Sequence, residues 1–137
     1  MVETTMLGKR VTELPAAPDR ALLDTFPNTH PDRPYTINFE CPEFTAICPV
    51  TGQPDFAKIL IEYQPDKLCV ELKSLKFYMF SFRNHGIFHE NVTNRILDDL
   101  VATLKPRSMT VIGDFGVRGG IYTKVTASYK QGDPLPQ

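Results

Sequence analysis

What this chain lacks narrows its chemistry before any motif is read. No run of apolar residues approaches the roughly 20 that a helix needs to cross a bilayer, so no membrane partner is expected. Lys plus Arg number 15 against 16 Asp plus Glu, a formal charge of −1. That balance offers no basic footprint for duplex nucleic acid, and no direct nucleic-acid partner is expected. The opening Met1-Val2-Glu3-Thr4-Thr5 has neither the basic nor the apolar region of a secretory leader. Three cysteines cannot all pair within one chain, which argues for a reduced, cytoplasmic setting over a disulfide scaffold. Gly116-Val117-Arg118-Gly119-Gly120 lacks the G-x-G-x-x-G spacing and joins two strand-like segments, which removes the Rossmann mode of dinucleotide binding. There is no internal repeat and no low-complexity tract.

What is present suits one domain, since 137 residues suffice for a hydrophobic core. Residues 1–34 carry Pro15, Pro18, Pro27, Pro31 and Pro34 with little periodicity, and are expected to form an extended arm packed on the domain or on another subunit. Tyr35 to Thr45 reads as an extended segment. Ala57, Ile59, Ile61 and Tyr63 alternate with Lys58, Leu60 and Glu62, the period of a strand. Gln64-Pro65-Asp66 breaks it, and Leu68-Cys69-Val70 continues briefly. Leu72, Leu75, Met79 and Phe82 then fall on one helical face, with Gly86 the expected C-cap. A second helix begins near Glu90, with Val92, Ile96, Leu97, Leu100, Val101 and Leu104 as its apolar stripe and Lys105-Pro106 as its stop. Ser108 to Phe115 and Gly120 to Tyr129 read as two strands of a hairpin, and residues 131–137 as a tail. The order strand, strand, helix, helix, strand, strand predicts an α+β domain over 35–130. Its four-stranded antiparallel sheet has two helices on one face. The other face, with Leu60 and Ile112, and the two sheet edges then need covering, so an oligomer is expected.

Chemistry concentrates in Cys48-Pro49-Val50-Thr51-Gly52-Gln53-Pro54-Asp55. Pro49 and Pro54 push Cys48 and Gln53 out of the helical region, and Thr51-Gly52 supplies the bend. A thiol and a carboxyl are thus set on either side of a rigid turn, a pattern suited to a nucleophile with a proton carrier. The plainer alternative makes Asp55 a turn residue. Cys41 and Cys69 read as structural, His30 and His85 as loop residues, and Phe77, Tyr78, Phe80 and Phe82 as core or interface.

Three motifs together resemble the short, single-domain form of the 7-cyano-7-deazaguanine reductase family, the QueF-type nitrile reductases of tRNA queuosine biosynthesis. They are Ile47-Cys48-Pro49-Val50-Thr51-Gly52-Gln53-Pro54-Asp55-Phe56, Glu71-Leu72-Lys73-Ser74-Leu75-Lys76-Phe77-Tyr78 and Phe88-His89-Glu90. The resemblance covers roughly residues 35–130. It implies the tunnelling fold (T-fold), whose sheets close into an oligomeric barrel, here a homodecamer of two stacked pentamers with active sites between subunits. It implies reduction of 7-cyano-7-deazaguanine to 7-aminomethyl-7-deazaguanine by two NADPH, with no catalytic metal. Cys48 would add to the nitrile carbon as a thioimide, with Asp55 as the proton carrier. Glu90 would accept from the ring N–H and exocyclic amine of the base. His89 would hold the base or assist the proton, and Val70, Glu71 and Leu72 would line the same pocket. Lys73, Ser74 and Lys76 at the helix start, with Arg118, would meet cofactor phosphates, although the two lysines also fit a solvated helix face. Two rivals share the pattern: a zinc-dependent T-fold enzyme on a purine or pterin, such as a GTP cyclohydrolase, and a non-catalytic purine-binding module. Zinc would need three converging ligands, for which Cys48, His85 and His89 are the candidates.

Overall fold

The computed structural model describes residues 15–137. Six strands and two helices follow in the order β1 (Thr25–Pro27), β2 (Ile37–Ile47), β3 (Pro54–Gln64), β4 (Leu68–Val70), α1 (Leu72–Phe80), α2 (His89–Leu104), β5 (Ser108–Phe115) and β6 (Lys124–Lys130). The main sheet is antiparallel throughout, ordered β2-β3-β5-β6. The chain is therefore α+β, with two helices and antiparallel sheets.

The expected alternation in β3 is observed: Ala57, Ile59, Ile61 and Tyr63 are buried beside Met109, Val111 and Phe115 of β5. Against that face pack Leu75, Tyr78 and Met79 of α1 and the whole expected stripe of α2, in one continuous core. Lys105 ends α2 in the left-handed region at φ 47°, donating its N–H to the Val101 carbonyl, and Pro106 prevents continuation.

The strands extend beyond their expected limits in some places and fall short in others, for identifiable reasons. In β2 the register slips between Cys41 and Phe44, a bulge centred on Pro42, which has no N–H to give a ladder. The inward side chains change from Phe39 and Cys41 to Phe44 and Ala46, so the parity of the strand reverses halfway. At the other end β6 begins only at Lys124. Arg118 and Ile121 exchange backbone hydrogen bonds across Gly119 (φ 56°) and Gly120 (φ 77°), making a separate tight turn before the strand.

Two expectations about the first helix need correction. Leu72 is 62% exposed and does not join the buried face, and the helix stops at Phe80 with Ser81 as its C-cap. Gly86 is no C-cap. It bridges Ile47 in parallel, and a Cβ there would sit 3.4 Å from the Pro49 Cα.

The first 14 residues of the expected arm lie outside the described residues. The remainder is fastened to the helices and to β4. β1 pairs with β4, which makes Leu68–Val70 half of a small second sheet. Buried Asp99 of α2 accepts from Arg20 Nε (3.0 Å), Arg95 Nε (2.9 Å) and the Tyr78 hydroxyl (2.6 Å). Arg95 also donates to the Pro18 carbonyl, 3.1 Å away.

Candidate active site

Cys48 stands at the exit of β2, and a short turn holds it there. Its N–H donates to the Gln53 carbonyl (2.8 Å), and its carbonyl accepts from Gly52 (2.9 Å), which takes φ 72°. The Thr51 hydroxyl, with the Thr51 and Val50 backbone N–H groups, pulls the thiol below its ordinary pKa, and Arg118 adds to the effect. Cys41 behaves oppositely, its thiol pushed up by burial. Residues 85–87 run beside this exit, with Ile47 N–H donating to the His85 carbonyl (3.1 Å) and Ile87 N–H to the Ile47 carbonyl (3.0 Å). That small parallel bridge delivers the chain to His89, the first residue of α2, at the same end of the sheet.

Asp55 lies opposite Ala46 in the β2–β3 register, two residues before Cys48. Its side chain is 5% exposed and shared between two cations or potential cations. Oδ1 pairs with Arg118, and Oδ2 lies 3.4 Å from His89 Nε2. Arg118 also donates to the Gln53 side-chain carbonyl at 2.7 Å. No hydrogen bond joins the Cys48 thiol to the Asp55 carboxylate, and Arg118 is the charged group that bears on both. His89 stacks on Phe115 with centroids 3.9 Å apart and planes 8° from parallel. That ring folds back over Gly113, where a Cβ would come within 2.6 Å of it and 2.5 Å of the Thr93 hydroxyl. Glu90 follows His89, exposed in the first turn of α2, where its charge also suits the helix dipole.

Gln53, Pro54, Asp55, Phe56, Val117 and Arg118 line a cleft of about 360 Å³. Its volume falls in the range of small-molecule sites. Cys48, Asp55, His89, Glu90 and Arg118 are therefore gathered at one end of the sheet.

The other expected residues are elsewhere. The Val70 N–H donates to the Tyr63 hydroxyl (3.1 Å), which places the start of α1 beside Tyr63. Tyr63 and Asp55 are separated along β3 by ~26 Å at the usual strand rise. Val70 is buried in the core, and Leu72 is exposed. Glu71 is the N-cap of α1: its carboxylate accepts from Lys73 N–H (2.6 Å) and Ser74 N–H (3.1 Å). The anion position at this helix start is thus filled from within the chain. Ser74 is fully buried, its hydroxyl donating to the Glu71 carbonyl and accepting from Asp24 N–H, so it builds the helix start. Arg118, expected at a phosphate, is engaged by Asp55 and Gln53.

Lys73 is half-buried and Lys76 exposed. Lys76 lies over the Phe77 ring and lines a second cavity, of about 380 Å³, with Leu72, Met79, Phe80, Arg83 and the bulged part of β2. In the sequence alone Arg83 takes no role and Gln53 only a place in the thiol turn, because polar side chains at a helix end or a turn are ordinary; the Phe115 stack has no local signal at all. Among the described residues no three His, Cys, Asp or Glu side chains converge as metal ligands. Among them, too, no helix is long and apolar enough to cross a membrane.

Comparison with known proteins agrees with the motif reading. Residues 54–134 match the profile of the family described as QueF-like protein. A protein of Anaeromyxobacter sp. (strain K) named NADPH-dependent 7-cyano-7-deazaguanine reductase is 63% identical over 116 residues, covering 85% of this chain and 94% of its own. Similarly named proteins of Nitrosococcus oceani and Chloroherpeton thalassium are 58% and 61% identical, over 86% and 80% of this chain and 91% and 94% of theirs. The fold is similar to that of an archaeosine synthase QueF-Like in the apo form, with a TM-score of 0.66 at 22% identity, over 74% of this chain and 99% of that one. The thiol turn and the His-Glu helix start found together at one end of the sheet, with this identity over most of the length of its relatives, show that the chain belongs to the QueF-like family of 7-cyano-7-deazaguanine reductases.

Proposed function

We infer that this chain is an NADPH-dependent oxidoreductase that reduces the nitrile of 7-cyano-7-deazaguanine to the aminomethyl group, in the queuosine pathway of tRNA modification. The observation that carries this reading is the 63% identity to a reductase of that name over 94% of its length. The acidified thiol of Cys48 and the Asp55–His89 pair at one end of the sheet support it.

A nitrile carbon resists direct hydride attack, and addition of sulfur makes it a better acceptor. Cys48 adds to that carbon while a proton reaches the developing nitrogen through Asp55 and its neighbour His89, giving a covalent thioimide. Hydride to the thioimide carbon gives a thiohemiaminal. Its collapse frees Cys48 and leaves an imine, and a second hydride completes the amine. NADPH supplies both hydrides when bound. Lys76 and Arg83 on the cavity between β2 and α1, which Glu40 and Glu43 also line, are the groups that would meet its phosphates, with Lys73 adding charge at the helix start. Glu90 accepts from the N–H edge of the base, and the backbone at Val70, Glu71 and Leu72 forms the rest of the wall.

That last assignment needs a second chain, since the start of α1 and Cys48 lie at different ends of β3. We propose a T-fold homo-oligomer, a decamer of two pentamers, with the pocket between subunits. Exposed Phe56, half-buried Leu60 and Ile112 on the outer sheet face, and edges at β2 and β6, support it. Within each chain residues 35–130 form the catalytic T-fold, with residues 15–34 of the expected arm packed on it and 131–137 as the tail, in a cytoplasmic enzyme.

Mass spectrometry of the protein with 7-cyano-7-deazaguanine alone tests the chemistry. The expected result is one added substrate mass, on Cys48 and absent in Cys48→Ala. An adduct persisting in Cys48→Ala would remove Cys48 as the nucleophile.

A further inference from the structure

A thiolate next to a carboxylate is an electrostatic conflict, since each anion opposes the other. The structure offers a resolution outside both motifs that carry the chemistry. Arg118 reaches from the turn between β5 and β6 to Asp55 Oδ1 and, with its other terminal nitrogen, to Gln53 at 2.7 Å. Gln53 is itself bonded through its backbone carbonyl to the Cys48 N–H at 2.8 Å. One guanidinium therefore holds Gln53 and Asp55 at the far end of the turn, and reaches Cys48 through the Gln53 backbone. The carbonyl that holds Cys48 and the side chain that holds Arg118 belong to one residue. A lysine has no planar fork to make both contacts together.

We propose that Arg118 is a positioning residue for the nitrile reduction: it fixes Asp55 and Gln53 and neutralises Asp55, so that Cys48 can ionise beside it. The proposal rests on Cys48 and Asp55 acting as nucleophile and proton carrier. It replaces the cofactor-phosphate role expected of Arg118. The charged and titratable groups at this end of the sheet are Asp55 on β3, His89 on α2, His85 on the segment beside Ile47, and Arg118, and of these Arg118 acts on the thiol. Among these Arg118 is the permanent cation. Its loss removes a positive charge and unmasks a negative one, and both changes push the thiol in the same direction, upward. The backbone cost is small, because Arg118 is partly exposed on a turn closed by Gly119 and Gly120.

The test reads the thiol without requiring turnover. The rate of Cys48 alkylation by iodoacetamide is followed against pH in the whole protein and in Arg118→Met and Arg118→Lys, with the modified residue identified by mass. Burial of Cys69 and the raised thiol of Cys41 leave Cys48 as the reactive cysteine. In Arg118→Met the profile is expected to move to higher pH, with alkylation at pH 7 slowing severalfold. Arg118→Lys is expected to recover part of that loss, having charge without the fork. The KM for NADPH should stay within about twofold of the parent value in both variants, since Arg118 acts through Asp55. An unmoved alkylation profile in a folded Arg118→Met overturns the proposal, whatever happens to the NADPH KM. A raised NADPH KM with an unmoved profile would return Arg118 to the cofactor. Neither result touches the nucleophile assignment, which stands or falls on the Cys48→Ala adduct.

Discussion

Asp55 shows how a single side chain acquires a role from its surroundings. In the sequence it is an acidic residue after a proline, as suited to a turn as to chemistry. In the fold it is nearly enclosed, with a permanent cation on one oxygen and an imidazole near the other. Its replacement by Asn keeps the shape but cannot carry a proton as a carboxyl does. Asp55→Asn is expected to retain binding of 7-cyano-7-deazaguanine and lose 10²- to 10⁴-fold in kcat, roughly the contribution of a general acid–base group. Single-turnover kinetics with pre-bound substrate measure this. A loss under about tenfold would make Asp55 a structural carboxylate.

Among the elements, α1 places two demands on Glu71, and they can be separated. The carboxylate caps the helix through Lys73 and Ser74 N–H, and the proposed substrate wall would draw on the same residue. Glu71→Ala is expected to cost about 1 kcal/mol in denaturant unfolding, the usual value of a lost N-cap. Serine is also a good N-cap, so Glu71→Ser should recover most of that stability while offering no carboxylate to a base. Substrate affinity that returns with the stability in Glu71→Ser assigns Glu71 to the helix. Affinity that stays low assigns it to the base as well. The periodicity of α2 and β3 was legible in the sequence because each buries a face whose period is its own. The face of α1 was misread at Leu72, since in so short a helix one exposed leucine still fits the apolar spacing. The bulge in β2 carried only Pro42 as a signal, and a proline in an extended segment does not say which partner residue it will leave unmatched.

At the level of the whole molecule, the distance between the start of α1 and Cys48 is decisive. Both motifs cannot surround one small base within a chain when ~26 Å of β3 separates the residues that anchor them. Chains carrying Cys48→Ala, dissociated and reassembled with chains carrying Lys73→Ala and Lys76→Ala, are therefore expected to recover part of the activity that each lacks alone. Activity no higher than the sum of the two parents, in hybrids verified by mass, would place a complete site within each chain. A monomer by light scattering at working concentration would defeat the shared pocket directly.

The sequence by itself determined the local elements and the chemical inventory. Alternating burial makes β3, the stripe from Val92 to Leu104 makes α2, and Cys48 through Gln53 is a constrained turn that sets a thiol shortly before the Asp55 carboxyl. These depend on neighbours within a few residues, where backbone sterics and side-chain period act directly. What only the tertiary structure decided are the long-range pairings: β1 against β4, Ser74 beneath Asp24, His89 flat on Phe115, and Arg118 on Asp55. Each joins residues whose separation leaves no trace in local spacing. A charged side chain such as Arg118 pairs with whichever opposite charge the fold brings within reach, and that meeting is fixed by the packing of the sheet and helices as a whole.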